Sequence, residues 1–316
     1  MVSVVIANSL HLKVVRGLIE AGKHVLCEKP LSDTLASARK MADLAREASS
    51  VVRIGLTYRR QPGVAAIRDW IQDGTLGRVL HFSGRYWCDY GCNPMAPMSW
   101  RYKGPMGSGA LADLGSHLTY LSEFLCGGIT AVSGGAFATA IKERPVPLEA
   151  VVGHGLAAVS DRKETVENDD YAAFTAFFGE TRGSLEVSRV AAGYPNGLDF
   201  EVFCENGAAS FHQDTPSQVR LYLNDDHSGR NGYRTVNLGS DHPYVAGGMP
   251  IDVSGVGFGQ NEGFTYQARA FLEEVAGIPE EESLPRNASF DEGVHNMEIL
   301  AAVARSAADN GKQVNL

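Results

Sequence analysis

The chain has little basic charge, few cysteines and no long apolar run, and each shortage narrows what it can be. Its 316 residues carry 28 lysines and arginines against 37 aspartates and glutamates, a formal net charge of −9 with histidine neutral. No basic run exceeds a pair such as Arg59-Arg60. A surface this acidic repels phosphate backbones, so nucleic acid is not an expected partner. No window approaches the roughly 18 uninterrupted apolar residues of a membrane helix, so no membrane partner is expected either. The five cysteines, Cys27, Cys88, Cys92, Cys126 and Cys204, are odd in number, scattered and without a CxxC pair. That spacing argues against a disulfide scaffold and structural zinc, and free thiols suit a reducing compartment. The opening MVSVVIANSLHLK lacks a basic segment followed by a long apolar one and a small-residue cleavage site, so the expected address is the cytoplasm.

What is present is ordinary globular material. Hydrophobic residues make up 44% and charged residues 21%, which excludes disordered and fibrous classes. At ~150 residues per domain the length suggests two domains, each able to bury its own core. Over residues 1–60 short apolar runs alternate with helical repeats. SVVIA (Ser3 to Ala7), HVLC (His24 to Cys27) and VVRIGL (Val51 to Leu56) read as strands. Leu10 to Ala21, closed by Gly22, reads as a helix, as does a segment capped by Ser32 or Asp33 and running to about Ser49. Such alternation describes βαβ units on a buried parallel sheet.

A dinucleotide-binding sheet normally opens with a strand, a GxGxxG turn and a helix whose N-terminus holds the pyrophosphate. No such turn occurs: the first strand is followed by NSLH, and GPMGSG (Gly104 to Gly109) follows no strand and reads as a loop entering a helix.

From Gln61 the character changes to an α+β pattern, helices on one face of a sheet of hairpins. Helices are predicted at Val64 to Gln72, about Ala110 to Leu125, Gly263 to Ala276 and Asp291 to Ala308. The last places Val294, Met297, Leu300, Ala301, Ala304 and Ala308 on one apolar face. Strands are predicted at Val79 to Trp87, at Tyr171 to Phe178 and Ser184 to Val190 joined by GETRG, and at Asp199 to Cys204 and Ala208 to His212. Glu205-Asn206-Gly207 is a hairpin signal because Asn-Gly tolerates positive φ. Asn93 to Pro105 reads as a loop, and Ser228 to Ser254 as a long polar, glycine-rich stretch.

Three constellations could carry chemistry. Glu28-Lys29-Pro30 places Lys29 at the carboxyl end of a parallel strand, where open α/β sheets bind ligands; a surface lysine paired with Glu28 is an equal alternative. In GSGALADLGSH, Asp113 and His117 stand four apart and share a helix face, a pair suited to proton transfer or, with further ligands, to a metal. The same spacing on a solvated helix is merely polar, but here the neighbours Ala110, Leu111, Leu114, Leu118 and Leu121 are apolar. The aromatic loop Met98-Ser99-Trp100-Arg101-Tyr102, with Trp87, Asp89 and Tyr90 upstream and Tyr58-Arg59-Arg60 ending a strand, mixes flat faces with charged forks as a sugar pocket does. A packed surface loop is the alternative.

EKP at a strand end followed by GAL-x-D-x-G-x-H resembles the Gfo/Idh/MocA family of NAD(P)-dependent oxidoreductases. The resemblance extends through NSLH, EAGKHVLCEKPLS, the YRR strand end and the late hairpins. WCDYGCNPMAPMSWRYKGPMGSGALADLGSH and HPYVAGGMPI look most like its levoglucosan dehydrogenase and inositol 2-dehydrogenase-like branch. The resemblance implies an incomplete N-terminal Rossmann domain over residues 1–60 and a substrate-binding and oligomerisation domain over 61–316, with an open, mainly antiparallel sheet. It implies hydride transfer from a secondary hydroxyl of a sugar, anhydrosugar or cyclitol to NAD or NADP. His117 would be the general base, Lys29 would orient the oxygen, and Asp113 would steady substrate and histidine. Asn8, His11, Glu28, Lys29 and Pro30 would face the cofactor, and Tyr58, Asp89, Arg101, Asp113 and His117 the substrate, with no metal. Cys88 stands where related enzymes carry a polar side chain.

The family begins with a GxGxxG half of about 60 residues that this sequence lacks, so a shortened chain is expected. Ser3 to Ala7 would then show an unpaired edge and an uncovered apolar face. The rival readings are a non-catalytic remnant that binds sugar or serves assembly, and NAD-dependent glycoside cleavage on the same fold. Apolar alternation in Phe174 to Phe178 and Leu185 to Val187 leaves a face needing cover, so a homodimer or homotetramer is expected.

Overall fold

Short apolar runs separated by helical repeats pair in parallel in this computed structural model, which describes residues 1–151, 153, 155–224, 231–239, 242, 244 and 258–316. The chain gathers into two units, Met1–Val79 with Phe203–Glu298, and Leu80–Val202 with Ile299–Leu316. Most of the stretch Ser228 to Ser254 and of HPYVAGGMPI lies outside the described residues.

The first unit opens with β1 (Val2–Val4), α1 (His11–Glu20), β2 (Val25–Glu28), α2 (Leu35–Glu47) and β3 (Val52–Gly55), followed by α3 (Pro62–Gln72). β1, β2 and β3 form a parallel sheet in that order, Val4 beside Cys27 and Cys27 beside Ile54. The first strand is shorter than the apolar run that encodes it, and Val5 and Ile6 continue exposed beyond its end. Along the outer side of α1, Leu10 and Val14 are exposed as well. Gly22, at φ 64°, closes α1, with its N–H on Ile19 and that of Lys23 on Leu18, a pairing that satisfies the last carbonyls. The cap of α2 differs from expectation. Thr34 caps it, its Oγ1 accepting from Ser37 N at 3.2 Å, because the Ser32 hydroxyl is buried and spent on Asp33 Oδ1.

β4 (Val79–Trp87) carries the chain into the second unit, where α4 (Ser116–Cys126), β5 (Ala131–Ala138), β6 (Glu143–Pro147), β7 (Val159–Thr165), β8 (Tyr171–Phe178), β9 (Thr181–Ser188) and β10 (Gly197–Cys204) follow. β4 runs parallel to β9, while β9–β8 and β8–β5 are antiparallel, and β6 and β7 form a separate hairpin. The GETRG link shrinks to Gly179-Glu180, since Thr181 already pairs with Phe178. The alternating apolar face of this hairpin is not left open: Ala172, Phe174, Ala176, Phe178, Leu185 and Val187 are buried within the single chain. Leu118 of α4 reaches Gly84 on β4, and a later helix closes on Gly135 with Val303 and Ala307. The face that needed cover therefore receives it from the chain's own helices, and the half-exposed face is the opposite one, with Tyr171, Thr175 and Phe177.

Back in the first unit, β11 (Gly207–His212), β12 (Gln218–Leu223) and β13 (Arg234–Asn237) are antiparallel neighbours, and α5 (Gln260–Val275) follows. β13 places regular structure inside a stretch that reads as polar loop. Neither Asn206 nor Gly207 has positive φ. Glycine is needed at 207 for a different reason, because a Cβ there would overlap the Tyr222 carbonyl of β12. α6 (Phe290–Ala308) starts in the first unit and ends in the second, where β14 (Val314–Asn315) joins β5. Its buried stripe is Gly293, Asn296, Ile299, Leu300, Val303 and Ser306. That stripe is rotated from the expected one: Val294, Met297, Ala301 and Ala304 are half-buried and Ala308 is exposed. Counting apolar residues misplaced it because glycine, asparagine and serine sit at the closest approaches.

A core cluster of Ala65, Tyr244, Phe258, Tyr266, Ala270 and Leu284 supports the first unit. His242 stacks edge-on against Tyr244 at 5.1 Å, and its Nδ1 accepts the Tyr244 N–H at 3.2 Å. Burial pulls this ring from 6.5 down to about 4, with the Pro62 carbonyl partly opposing. The unfolded chain takes up the proton first, so stability is full above the ordinary value and falls as the pH drops from about 6.5 toward 4. The total loss is roughly 3 kcal/mol. Urea unfolding across this range is expected to show that loss in the parent protein and a flatter profile in His242→Asn; parallel profiles would contradict it.

Candidate active site

In the first unit the carboxyl ends of β1 and β2 place Asn8, Glu28, Lys29 and Pro30. Asn8 begins a tight 3-10 turn, Asn8–Leu10, leading into α1. Lys29 follows the last residue of β2 and joins Pro30 through a cis peptide. Lys29 and Glu28 are both half-buried, and the Lys29 N–H donates to Glu28 Oε2 at 3.2 Å. Burial pushes the Glu28 carboxyl above its ordinary range, with Lys29 pulling the other way. Glu28 Oε1 lies over Gly55 of β3, beside the Gln267 amide. His11 is fully buried, Nδ1 at 3.1 Å from Leu31 O and Nε2 at 3.1 Å from Ile6 O. It thus ties the loop after β1 to the loop after β2, and the Cys27 sulfur lies 3.5 Å from its Nδ1. Tyr58 is buried and its hydroxyl accepts from Gln260 Nε2 at 2.8 Å, while the Thr57 hydroxyl donates to Gln267 Oε1 at 2.9 Å.

Asp113 and His117 fall in the second unit. The helix they share does not begin as an α-helix. Leu111–Gly115 form a π-turn that passes into α4 at Ser116, the kind of widened turn that recurs at functional sites. Asp113 lies within that turn and accepts the Tyr90 hydroxyl on Oδ2 at 2.7 Å. Burial first, and the adjacent Asp113 charge second, push the Tyr90 phenol well above its ordinary value, so it stays a donor. His117 is half-buried at the start of α4, its ring 6.0 Å from that of Tyr86. Tyr86 in turn donates to Asn196 Oδ1 at 2.7 Å, and the Cys88 thiol points at the same oxygen. A carboxylate fixed by one donor and an imidazole one turn away can hold and move a proton.

The aromatic loop is anchored from beneath. Asn168, Asp169 and Asp170 are all fully buried just before β8, as is Arg189 just after β9. Arg189 Nε meets Asp170 Oδ1 at 2.7 Å, Nη2 reaches Asn168 Oδ1 at 2.8 Å, and Nη1 reaches the Arg101 carbonyl at 2.9 Å. The Tyr102 ring is stacked by two guanidinium groups, Arg144 at 4.0 Å and Arg189 at 4.6 Å. Arg144 itself bonds the carbonyls of Asn93 and Gly91, and burial lowers its pKa from the ordinary value. The Arg101 side chain lies over Trp100 at 4.4 Å and touches the Gly153 carbonyl, and Asp89 is half-buried nearby along the chain.

The expected residues therefore gather in two sets. Asn8, Glu28, Lys29, Pro30 and Tyr58 belong to the first unit, and Asp89, Arg101, Asp113 and His117 to the second. Sequence reasoning missed Arg144, Arg189 and the triplet Asn168-Asp169-Asp170. The one available signal was two aspartates abutting an apolar alternation in NDDYAAFTAFF, too much buried charge for a strand end unless it is paired. Among the described residues no three His, Cys, Asp or Glu side chains converge as metal ligands do, and no helix is long and apolar enough to cross a membrane.

The chain is similar to known proteins along most of its length. The family description "GFO/IDH/MocA C-terminal domain" matches residues 64–210, and "Oxidoreductase family, NAD-binding Rossmann fold" matches residues 1–56. Levoglucosan dehydrogenase of Pseudarthrobacter phenanthrenivorans is 32% identical over 97% of this chain and 77% of its own length. Among solved structures, an oxidoreductase domain protein from Kribbella flavida superposes with a TM-score of 0.85 at 34% identity, covering 99% of this chain and 80% of that one. Levoglucosan dehydrogenase in complex with NADH and levoglucosan superposes with a TM-score of 0.84 at 30% identity, covering 99% and 79%.

The Arg189–Asp170 pair has almost no exposed surface, and removing one partner strands the other charge in the interior. Asp170→Ala is expected to lower the unfolding free energy by about 3–5 kcal/mol. Denaturant titration checks this, and a loss below about 1 kcal/mol, as for an exposed pair, would contradict it.

Proposed function

The chain belongs to the Gfo/Idh/MocA family of oxidoreductases, and on that premise we propose that it oxidises a secondary hydroxyl of a sugar, anhydrosugar or cyclitol with NAD or NADP. The observation that carries this reading is the half-buried Tyr90–Asp113 hydrogen bond on a π-turn one turn before His117. It joins a carboxylate and an imidazole on a mostly apolar helix.

The residues at the strand ends fit the nicotinamide end of such a cofactor. Asn8, Glu28, Lys29 and Pro30 would hold it, on loops that the buried His11 ring ties together. When bound, the dinucleotide supplies the hydride acceptor. His117 takes the proton of the substrate hydroxyl on its imidazole. The Lys29 ammonium orients the substrate oxygen and stabilises the negative charge that grows there. Asp113, fixed by the Tyr90 hydroxyl, bonds a neighbouring substrate group and steadies the His117 side of the site. Arg101, Asp89 and Tyr58 contact further hydroxyls. Levoglucosan, an anhydrosugar, is bound by a similar enzyme, which supports the anhydrosugar end of this range. The half-exposed outer face of the sheet, with Tyr171, Thr175 and Phe177, is the surface offered for pairing of subunits into a homodimer or homotetramer.

Turnover of NAD or NADP with a panel of sugars, anhydrosugars and cyclitols tests the assignment. His117→Ala and Lys29→Ala are each expected to lower kcat by about 10²–10⁴-fold with an unchanged circular dichroism spectrum. Near-normal turnover in either variant would contradict the role given to that residue.

A further inference from the structure

The loop that enters the π-turn hangs on one carboxylate. Asp169 Oδ1 accepts the N–H groups of Gly107 at 2.8 Å and Gly109 at 3.0 Å, and Oδ2 accepts that of Leu111 at 2.7 Å. Its own carbonyl accepts the Ala110 N–H at 2.9 Å. A Cβ on Gly109 would overlap that carbonyl, so the two backbones touch. Four successive contacts thus fix the segment that immediately precedes Asp113, whose own N–H bonds the Gly109 carbonyl at 3.0 Å. The neighbouring Asn168 touches this segment at Ser108 and reaches further back along the chain as well. Its Nδ2 donates to the carbonyls of Arg101 and Lys103 and to the Ser108 hydroxyl, at 3.0–3.3 Å.

We infer that Asp169 is a positioning residue for the chemical step and Asn168 one for substrate affinity, the first by aiming Asp113 at Tyr90 and the second by fixing the backbone that carries Arg101. The inference rests on the proposed oxidation for its kinetic half only. Both residues are fully buried and neither touches a reacting group; Asp169 holds only residues 107–111, whereas Asn168 also holds the carbonyls of Arg101 and Lys103, so the two positions weight chemistry and binding differently. A displacement of about 1 Å at a reacting group can cost 10²-fold in rate, which sets the scale of what a loosened anchor does.

The conservative variant Asp169→Asn keeps the shape but turns an NH2 toward backbone N–H groups that need an acceptor. It is expected to lower kcat about 10–100-fold with little change in KM, and to shift a limb of the pH–kcat profile, because Asp113 moves away from Tyr90. Asn168→Ala is expected to raise KM with kcat nearly unchanged. A purely structural role would scale activity with the folded fraction and leave the shape of the pH profile alone. A second readout needs no turnover: the near-ultraviolet absorption of Tyr90 at neutral pH, isolated by difference from Tyr90→Phe. A phenol donating to a carboxylate absorbs to the red of one that does not, and in Asp169→Asn this red shift is expected to be lost with the circular dichroism spectrum unchanged, because Asp113 no longer meets the Tyr90 hydroxyl. If the parent protein oxidises nothing in the panel, the proposed oxidation fails while this spectrum still decides the positioning role. An unchanged Tyr90 spectrum in Asp169→Asn, or a KM effect in that variant and a kcat effect in Asn168→Ala, overturns the inference.

Discussion

The buried charge behind the aromatic loop is the constraint on which the second unit depends. Three polar side chains and a guanidinium sit where β8 begins and β9 ends, with essentially no solvent. Ions in such a place are tolerated only when every donor and acceptor is met. Here they are met by the chain that matters. Arg189 satisfies Asp170 and Asn168 and then reaches the Arg101 backbone, and Asp170 Oδ2 takes the N–H groups of Ala140 and Ile141. The cluster ties residues 101–111 to the start of β8 and the end of β9.

The first unit is organised by a different means. Its short parallel strands end together, and the loops beyond β1 and β2 are crosslinked by a single buried side chain. His11, the first residue of α1, lies between the Ile6 and Leu31 carbonyls. On the α5 side, Gln260 and Gln267 meet Tyr58 and Thr57, so the end of β3 is fixed by amide and hydroxyl bonds. Lys29 and Glu28 are thereby set on a frame whose polar groups are already engaged, and the one carboxyl left half-buried there, Glu28, is pushed toward its neutral form by that burial.

Much of this is legible in the sequence, for identifiable reasons. Parallel strands announce themselves as apolar runs between helical repeats, and EKP and GALADLGSH carry their chemistry in order. β4 and β8 match their predicted bounds. Other features are invisible for equally physical reasons. A π-turn has the same composition as an α-turn, so Leu111–Gly115 reads as regular helix. The buried face of α6 is set by where glycine and small polar residues permit close approach, which hydrophobic counting misjudges. The alternation of β8 and β9 reads as a face for a second subunit, but the chain covers it with its own helices, a fact that only tertiary packing decides. The clamp at Asn168 to Asp170 is long-range: Arg189 and Asp170 are local in the hairpin, yet what they hold is a loop more than fifty residues upstream.

The central claim is that this chain is a nicotinamide-dependent oxidoreductase acting on a polyhydroxylated ring. Titration of NADH into the protein, followed by nicotinamide fluorescence and repeated with NADPH, tests it most directly. The account predicts saturable binding of at least one of the two. No binding of either up to millimolar concentration would contradict it.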